Sequence, residues 1–289
     1  MPMSSMPRPM PGRIEIACRV DLDAGARASI RLATAGEELR TGGDLVGYSA
    51  WLALRGSMIV HSREGEFHLR AREWLLLEGD AGPCGRVGPG GIAIVIRLRG
   101  DDLAAHAGDG IGHALFSGCG RLSRGMRLQG LRLWKTRDAE GLDARAGAFL
   151  ACMQQHDADV VARCPGRSLG RRRQIYARLQ RARLYMQGHA GMCARIGELA
   201  RWSHFSPWYF SKIFQSVYGQ APQQYAARLR LEQARRLLVE GRLPVTEVSL
   251  ASGFESPCSF ARAFRARFGV SASEYRLRHA RPAHAGRRS

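Results

Sequence analysis

Two kinds of side chain in this sequence could do chemistry. Thiols and imidazoles could attack a substrate or hold a metal; guanidinium groups could hold an anion. The first kind is scattered. The seven cysteines, Cys18, Cys84, Cys119, Cys152, Cys164, Cys193 and Cys258, never fall closer than 12 positions apart. No CxxC or zinc spacing therefore exists, and an odd count argues against a disulfide framework. Structural or incidental thiols are the expectation. His61 and His68 stand seven apart and no His-x-His occurs, so no metal centre and no cofactor is expected. Nor does the chain carry a Ser/His/Asp signature, a phosphate loop or a Gly-rich dinucleotide fingerprint. On these residues it does not read as an enzyme.

The guanidinium groups, by contrast, are concentrated. The chain holds 44 Lys+Arg against 25 Asp+Glu, a formal charge of +19. From Pro165 onward there are 23 basic and 6 acidic residues (+17), which leaves 21 and 19 (+2) in the first 164. A solvated surface, or the habit of an arginine-rich genome, is the bland reading. The sharper reading is a face that binds a polyanion. What decides between them is the set of elements that carries the charge.

That segment says nearly the same thing twice. Ser206 and Ser256, Pro207 and Pro257, Phe210 and Phe260, Phe214 and Phe264, Gly219 and Gly269, and Tyr225 and Tyr275 are each 50 positions apart. Upstream, Ile196, Leu199 and Phe205 match Val245, Val248 and Phe254 at a spacing of 49, and Glu255 is the inserted residue. In each copy a short apolar stripe at helical spacing leads to a phenylalanine that plugs a turn. A serine then caps the next helix, with proline at its first position. Phe210, Ile213, Phe214 and Val217, and in the second copy Phe260, Ala263, Phe264 and Phe268, form the inward stripe, and a glycine stops each helix. Helix, tight turn and capped helix is the layout of a helix-turn-helix, whose second helix enters the major groove. The serine caps also leave first-turn amides placed for phosphate.

The stretch GELARWSHFSPWYFSKIFQSVYGQAPQQY, followed by RLRLEQARRLL and GFESPCSFARAFRARFGVSASEYR, resembles the DNA-binding domain of AraC/XylS-type transcription regulators over roughly the last 110 residues. The resemblance implies two helix-turn-helix units joined by a long helix, which would be Pro222 to Glu240. It also implies a double-stranded promoter DNA partner, contact with RNA polymerase in the activators, and a cupin-type β-barrel ahead of the DNA-binding domain. Three positions depart from the family pattern. His204 stands where the first turn has glycine, Ser249 where the second unit has alanine, and Ala272 where proline follows FGVS. A non-glycine residue at a left-handed position is expected to stiffen or shift that turn.

Carried onto this chain, the motif's exposed positions on the first recognition helix are Trp208, Tyr209, Ser211 and Lys212, behind the cap Ser206. The second helix offers Ser256, Cys258, Ser259 and Arg262. Lys212 can donate to guanine or phosphate and Trp208 can meet a thymine methyl. The second helix, with shorter side chains, would anchor phosphates and read shape. Tyr225, Leu229, Leu231, Ala234, Leu237 and Leu238 spread around the joining helix, which is expected to be buried between both units. Some alkyl-transfer repair proteins carry the same DNA-binding domain, but their Pro-Cys-His-Arg nucleophile is here Pro83-Cys84-Gly85-Arg86, without the activating histidine.

The first half reads as β structure. Ile14, Ile16, Cys18, Val20 and Leu22 alternate with polar residues, and WLALRGSMIVHS, EFHLRAREWLLLEG and GIAIVIRLRG follow between glycine-bearing turns. Met58, Trp51, Phe67 and Trp74 would be core or would line a pocket for a small-molecule effector. Leu142, Ala146, Phe149, Leu150 and Met153 give an amphipathic helix, either packed on its own barrel or forming a homodimer contact. The Pro-Gly stretch 163–170 marks a linker. The expected fold class is therefore α+β in two domains. Residues 1–165 form a β-rich, cupin-like sensing or dimerisation domain with a closing helix, and 166–289 form the DNA-binding domain. MPMSSMPRPMPGR has no apolar core and no run approaches 18 apolar residues, so no signal peptide or membrane span is expected and the cytoplasm is the expected compartment.

Overall fold

The structure, a computed structural model, describes residues 28–40, 47–99, 115–135, 142–154, 157–191 and 195–279. The strand expected at 14–22, with Cys18, and also Cys193 and the N-terminal MPMSSMPRPMPGR, lie outside the described residues.

The first half is two antiparallel sheets and a helical layer. Its strands are β1 (Ala28–Thr34), β2 (Glu38–Arg40), β3 (Gly47–Arg55), β4 (Ser57–Ser62), β5 (Gly65–Arg70), β6 (Glu73–Glu78), β7 (Cys84–Val87), β8 (Ile92–Arg99) and β9 (Gly118–Arg121). One sheet runs β1-β8-β3-β6-β9 and the other β2-β7-β4-β5. Between β3 and β4 the chain leaves one sheet for the other at Gly56, which takes φ +67 just after a register shift between Ala53 and Arg55. Among the described residues no ladder joins the two sheets. The barrel implied by resemblance is thus an open two-sheet sandwich, because the chain changes sheets through bent corners instead of continuing the hydrogen bonding.

Burial explains the strand sequences. On β5, Phe67 and Leu69 point inward while Glu66, His68 and Arg70 face water, so the strand alternates. The central strands of the larger sheet do not alternate, because both of their faces are covered. Trp51, Ala53, Leu75, Leu77, Ala93 and Val95 face the second sheet. Ala50, Leu52, Trp74, Leu76, Ile94 and Ile96 face a layer made by α1 (Arg124–Lys135) and α2 (Leu142–Met153). Ala146, Phe149, Leu150 and Met153 of α2 belong to that second core, so the amphipathic helix closes its own sandwich. Trp51, Met58, Phe67 and Trp74 are core side chains. Trp51 lies so close to Gly85 that a Cβ there would stand 2.6 Å from its ring, and its indole N–H donates to Ser49 Oγ at 3.1 Å.

The second half is helical: α3 (Asp157–Ala162), α4 (Leu169–Gly188), α5 (Ile196–Trp202), α6 (Pro207–Tyr218), α7 (Pro222–Glu240), α8 (Val245–Ala251), α9 (Pro257–Phe268) and α10 (Ala272–His279). It has two cores. Leu199, Phe210, Phe214 and Val217 gather with Ile175 and Leu179 of α4 and with Val161 and Cys164. Val248, Phe260 and Phe264 gather separately. The joining helix α7 divides between them, with Tyr225 and Leu229 in the first core and Leu231, Ala234, Leu237 and Leu238 in the second. Its residues spread over its circumference because its two ends serve different units.

Candidate nucleic-acid interface

The sequence repeat is a structural repeat down to its capping. Ser206 Oγ accepts from the Tyr209 amide at 3.3 Å, and Ser256 Oγ from the Ser259 amide at 3.2 Å. Pro207 and Pro257 follow each cap, and Gly219 and Gly269 end the helices at φ +72 and +78. Ring packing recurs as well. Phe210–Phe214 and Phe260–Phe264 centroids are 5.6 and 5.5 Å apart, and Phe214–Tyr225 and Phe264–Tyr275 are both 5.6 Å apart. The same caps and the same ring spacings make α6 and α9 equivalent helices of the two units.

The turns match too. The Phe205 amide bonds the Ala200 carbonyl and the His204 amide bonds Arg201, as Phe254 bonds Ser249 and Gly253 bonds Leu250. This paired pattern is a Schellman closure, and it needs a left-handed residue at its penultimate position. Gly253 supplies it at φ +74 and His204 at φ +56. The departure expected to shift the first turn leaves its path intact, with the strain carried by His204 itself.

With the aromatic stripes buried, the opposite faces of α6 and α9 stand in solvent. Trp208 is 71% exposed. Lys212 is exposed beside it, its ammonium 4.9 Å from the indole centroid, so the two form one cationic and apolar head. Ser211 is half-buried on the same side. Tyr209 leans inward against Phe205, ring centroids 5.6 Å apart, and is half-buried. On α9, Cys258 and Arg262 are exposed. The Ser259 hydroxyl is committed within the cap, donating to the Ser256 carbonyl at 2.8 Å.

Sequence reasoning missed the far end of both faces. Gln215 and Ser216 on α6, and Ala261, Arg265 and Ala266 on α9, are exposed. They continue the outward stripes from Trp208 and Cys258 at i+3, i+4, i+7 and i+8. The signal was available: it is the complement of the buried phenylalanine pattern. The paired stripes differ in chemistry. Ser211, Lys212 and Gln215 occupy the places of Ala261, Arg262 and Arg265.

Beneath α6 the first unit is fastened by a polar network. Arg183 of α4 donates from Nε to the Tyr225 hydroxyl (3.3 Å) and from Nη1 to Gln180 Oε1 (3.2 Å), which also accepts from the Tyr218 hydroxyl at 3.0 Å. Burial pushes both phenols up from their ordinary value despite the nearby guanidinium. Both stay neutral, Tyr218 donating to Gln180 and Tyr225 accepting from Arg183, and α4, α6 and α7 are held as one block.

In the first half, Glu66 lies between His61 and His68, with its Oε2 3.4 Å from His61 Nδ1. The bond from His68 is the main reason its carboxyl lies below the ordinary value. Among the described residues no three His, Cys, Asp or Glu side chains are placed to hold a metal. No helix among them is long and apolar enough to cross a membrane.

Residues 199–278 match the family model for a helix-turn-helix domain. An HTH-type transcriptional regulator of Mycobacterium tuberculosis is 39% identical over 90 residues, covering 31% of this chain and 35% of that protein. An uncharacterized HTH-type transcriptional regulator of Bacillus subtilis is 39% identical over 92 residues, 32% of this chain and 38% of that protein. The chain thus spans somewhat over a third of the length of these two relatives. Among solved structures, a probable AraC family transcriptional regulator from Rhodopseudomonas palustris is 30% identical, with 36% of this chain and 98% of that one covered and a TM-score of 0.34.

Proposed function

We propose that this chain, whose residues 199–278 match the model for a helix-turn-helix domain, is an AraC-type, sequence-specific regulator of transcription that binds promoter DNA with both units. The observation that carries this reading is the doubled outward stripe: equivalent helices α6 and α9, equally capped, in a segment of charge +17. Two recognition helices on one face of a duplex must reach major grooves about 34 Å apart. The joining helix α7, buried at both ends, keeps their separation fixed. DNA that does not match that separation must bend, at about 1–6 kcal/mol.

The two stripes divide the work. Lys212 and Gln215 beside Trp208 can read base edges and a thymine methyl. Arg262 and Arg265, flanked by Ala261 and Ala266, favour phosphate anchoring and shape reading. The helix amides behind Ser206 and Ser256 add phosphate contacts.

The β-rich part serves regulation in this reading. Trp51, Met58, Phe67 and Trp74 are core side chains, and an effector would use the open groove between α1 and α2, where Arg132 and Arg145 rim an apolar floor that includes Leu133 and Phe149. That lining suits a small anionic ligand. Leu128 and Trp134, exposed on α1, offer apolar contact for a second copy of the chain, and RNA polymerase is the further partner. The cytoplasm is the compartment this role requires.

The test is selection of genome fragments by the full chain at two salt concentrations. Enrichment of one sequence class, with a log–log salt slope reflecting several phosphate contacts, is expected. Lys212→Ala should relax preference at particular base pairs at about 1–3 kcal/mol, while Arg262→Ala should weaken all fragments alike and lower the slope by about one. Equal binding to every fragment, or none at low salt, would overturn the reading.

A further inference from the structure

The C-terminal turns of α4 and the three residues after them bear on three bodies at once. The Arg181 guanidinium stands among three carboxylates of the sandwich, 4.0 Å from Glu64, 3.7 Å from Glu78 and 3.4 Å from Asp80. It also lies over the Trp202 ring, 5.6 Å from the centroid, at the end of the first unit's opening helix. Leu184 is part of the sandwich core. Cys119 Sγ on β9 meets Gln187 Oε1 at 3.3 Å.

Beyond these side chains the contact becomes backbone on backbone. A Cβ on Gly188 would overlap the Glu64 carbonyl, and one on Gly65 would stand 2.5 Å from the Gly188 carbonyl carbon. Three residues later the chain reaches the second unit. A Cβ on Gly191 would stand 2.8 Å from the Ala251 carbonyl oxygen, and one on Gly253 2.7 Å from that of Gly191. Gly253 is also tied to the joining helix, since its carbonyl accepts from Arg230 Nη1 at 3.1 Å. Main chain packed on main chain has no flexible side chain to absorb a displacement. Movement of the β4–β5 turn therefore has to pass to Gly188, and from there to the turn of the second unit.

We infer that residues 181–191 are a coupling junction through which the sandwich sets the placement of the two reading units. The inference rests on the DNA-reading role proposed above and names how it is regulated. The outward stripes of α6 and α9 are exposed while the sandwich is docked, so the docked arrangement is the binding-competent one. The junction pre-organises it, and loosening the junction makes DNA bear the cost of ordering the two units.

Two readouts on the full chain test this, with Arg181→Ala and the charge-conserving Arg181→Lys compared with wild type. In amide hydrogen exchange, Arg181→Ala should speed exchange about tenfold both in the turn 62–66 and in the turn 249–254. The second turn has no contact with residue 181, so a local structural role would leave it unmoved. Affinity for the fragment that wild type selects should fall about tenfold at an unchanged salt slope, because Arg181 faces carboxylates and contacts no phosphate. Arg181→Lys, which keeps the charge but not the fork, should lie between. Faster exchange confined to 178–185, or an affinity within about twofold of wild type, would overturn the inference. If wild type selects no sequence, the regulator reading fails and the exchange result alone decides the junction. Should Arg181→Ala not fold, Glu78→Gln removes one carboxylate from the cluster and is judged by the same readouts.

Discussion

The sharpest stability prediction comes from a place where the two units differ inside an otherwise repeated core. Ser249 is fully buried in α8, and its hydroxyl has no hydrogen-bond partner. Forty-nine positions earlier the same place in α5 holds Ala200, also fully buried. The first unit is thus a built-in control showing that alanine fits. Replacing Ser249 by alanine removes an unpaired buried polar group, which is worth about 1–3 kcal/mol. Better helix propensity adds about 0.5 kcal/mol, and the small void left by the oxygen offsets a few tenths. A net stabilisation of about 1–3 kcal/mol in the second unit follows. A multi-domain chain has no single unfolding free energy, so the assay is amide exchange of α8 and α9. Protection there should rise by at least about fivefold, while α5 and α6 stay unchanged. Ala200→Ser should lower protection in α5 and α6 by a similar factor. If Ser249→Ala is neutral or destabilising, and Ala200→Ser is harmless, the hydroxyl is satisfied at that position and the repeat argument fails.

Three other perturbations test separate parts of the structure. His204→Gly should stabilise the first unit by about 0.5–1 kcal/mol, since about 1–2 kcal/mol of left-handed strain at φ +56 is partly offset by glycine's entropy; amide exchange of α5 and α6 checks it, and a loss of protection would refute it. Gly85→Ala should destabilise the sandwich by about 1–3 kcal/mol through overlap with the Trp51 ring; a second change, Trp51→Phe, should recover part of the lost amide-exchange protection of β3 and β7 if that overlap is the cause. Burial lifts Glu64 and Glu78 above the ordinary 4.5, even though Arg181 pulls the other way. Their contribution is therefore complete below pH 4.5 and is lost as pH rises through the lifted values. Amide exchange of β4, β5 and β6 between pH 4 and 7, corrected for the intrinsic rate at each pH, should show wild type losing protection on this account, and Glu64→Gln losing less; equal profiles would refute the assignment.

Much of the helical half was legible because its determinants are local. Serine, proline and the phenylalanine stripe define capped helices whatever surrounds them, and a repeat at 50 positions fixes two equivalent units without reference to anything distant. The outward faces of α6 and α9 follow from the same pattern, although Gln215 and Arg265 emerge only once the buried stripe is inverted into its exposed complement. The strands of the first half were legible as strands through alternation on β5 and through apolar runs such as β8. Their assembly was not, because pairing β3 with both β6 and β8 joins residues far apart in sequence, and nothing local says whether two sheets close or stay open. The role of Trp51 was undecided for the same reason: whether it lines a pocket or fills one depends on Gly85 across the sandwich. Tertiary structure also decided what Arg181, Gly188 and Gly191 do. In sequence they are one arginine among many and two unremarked glycines. Only the fold brings three carboxylates and two facing backbone turns within contact distance, because charge pairing and backbone approach are set by position in space.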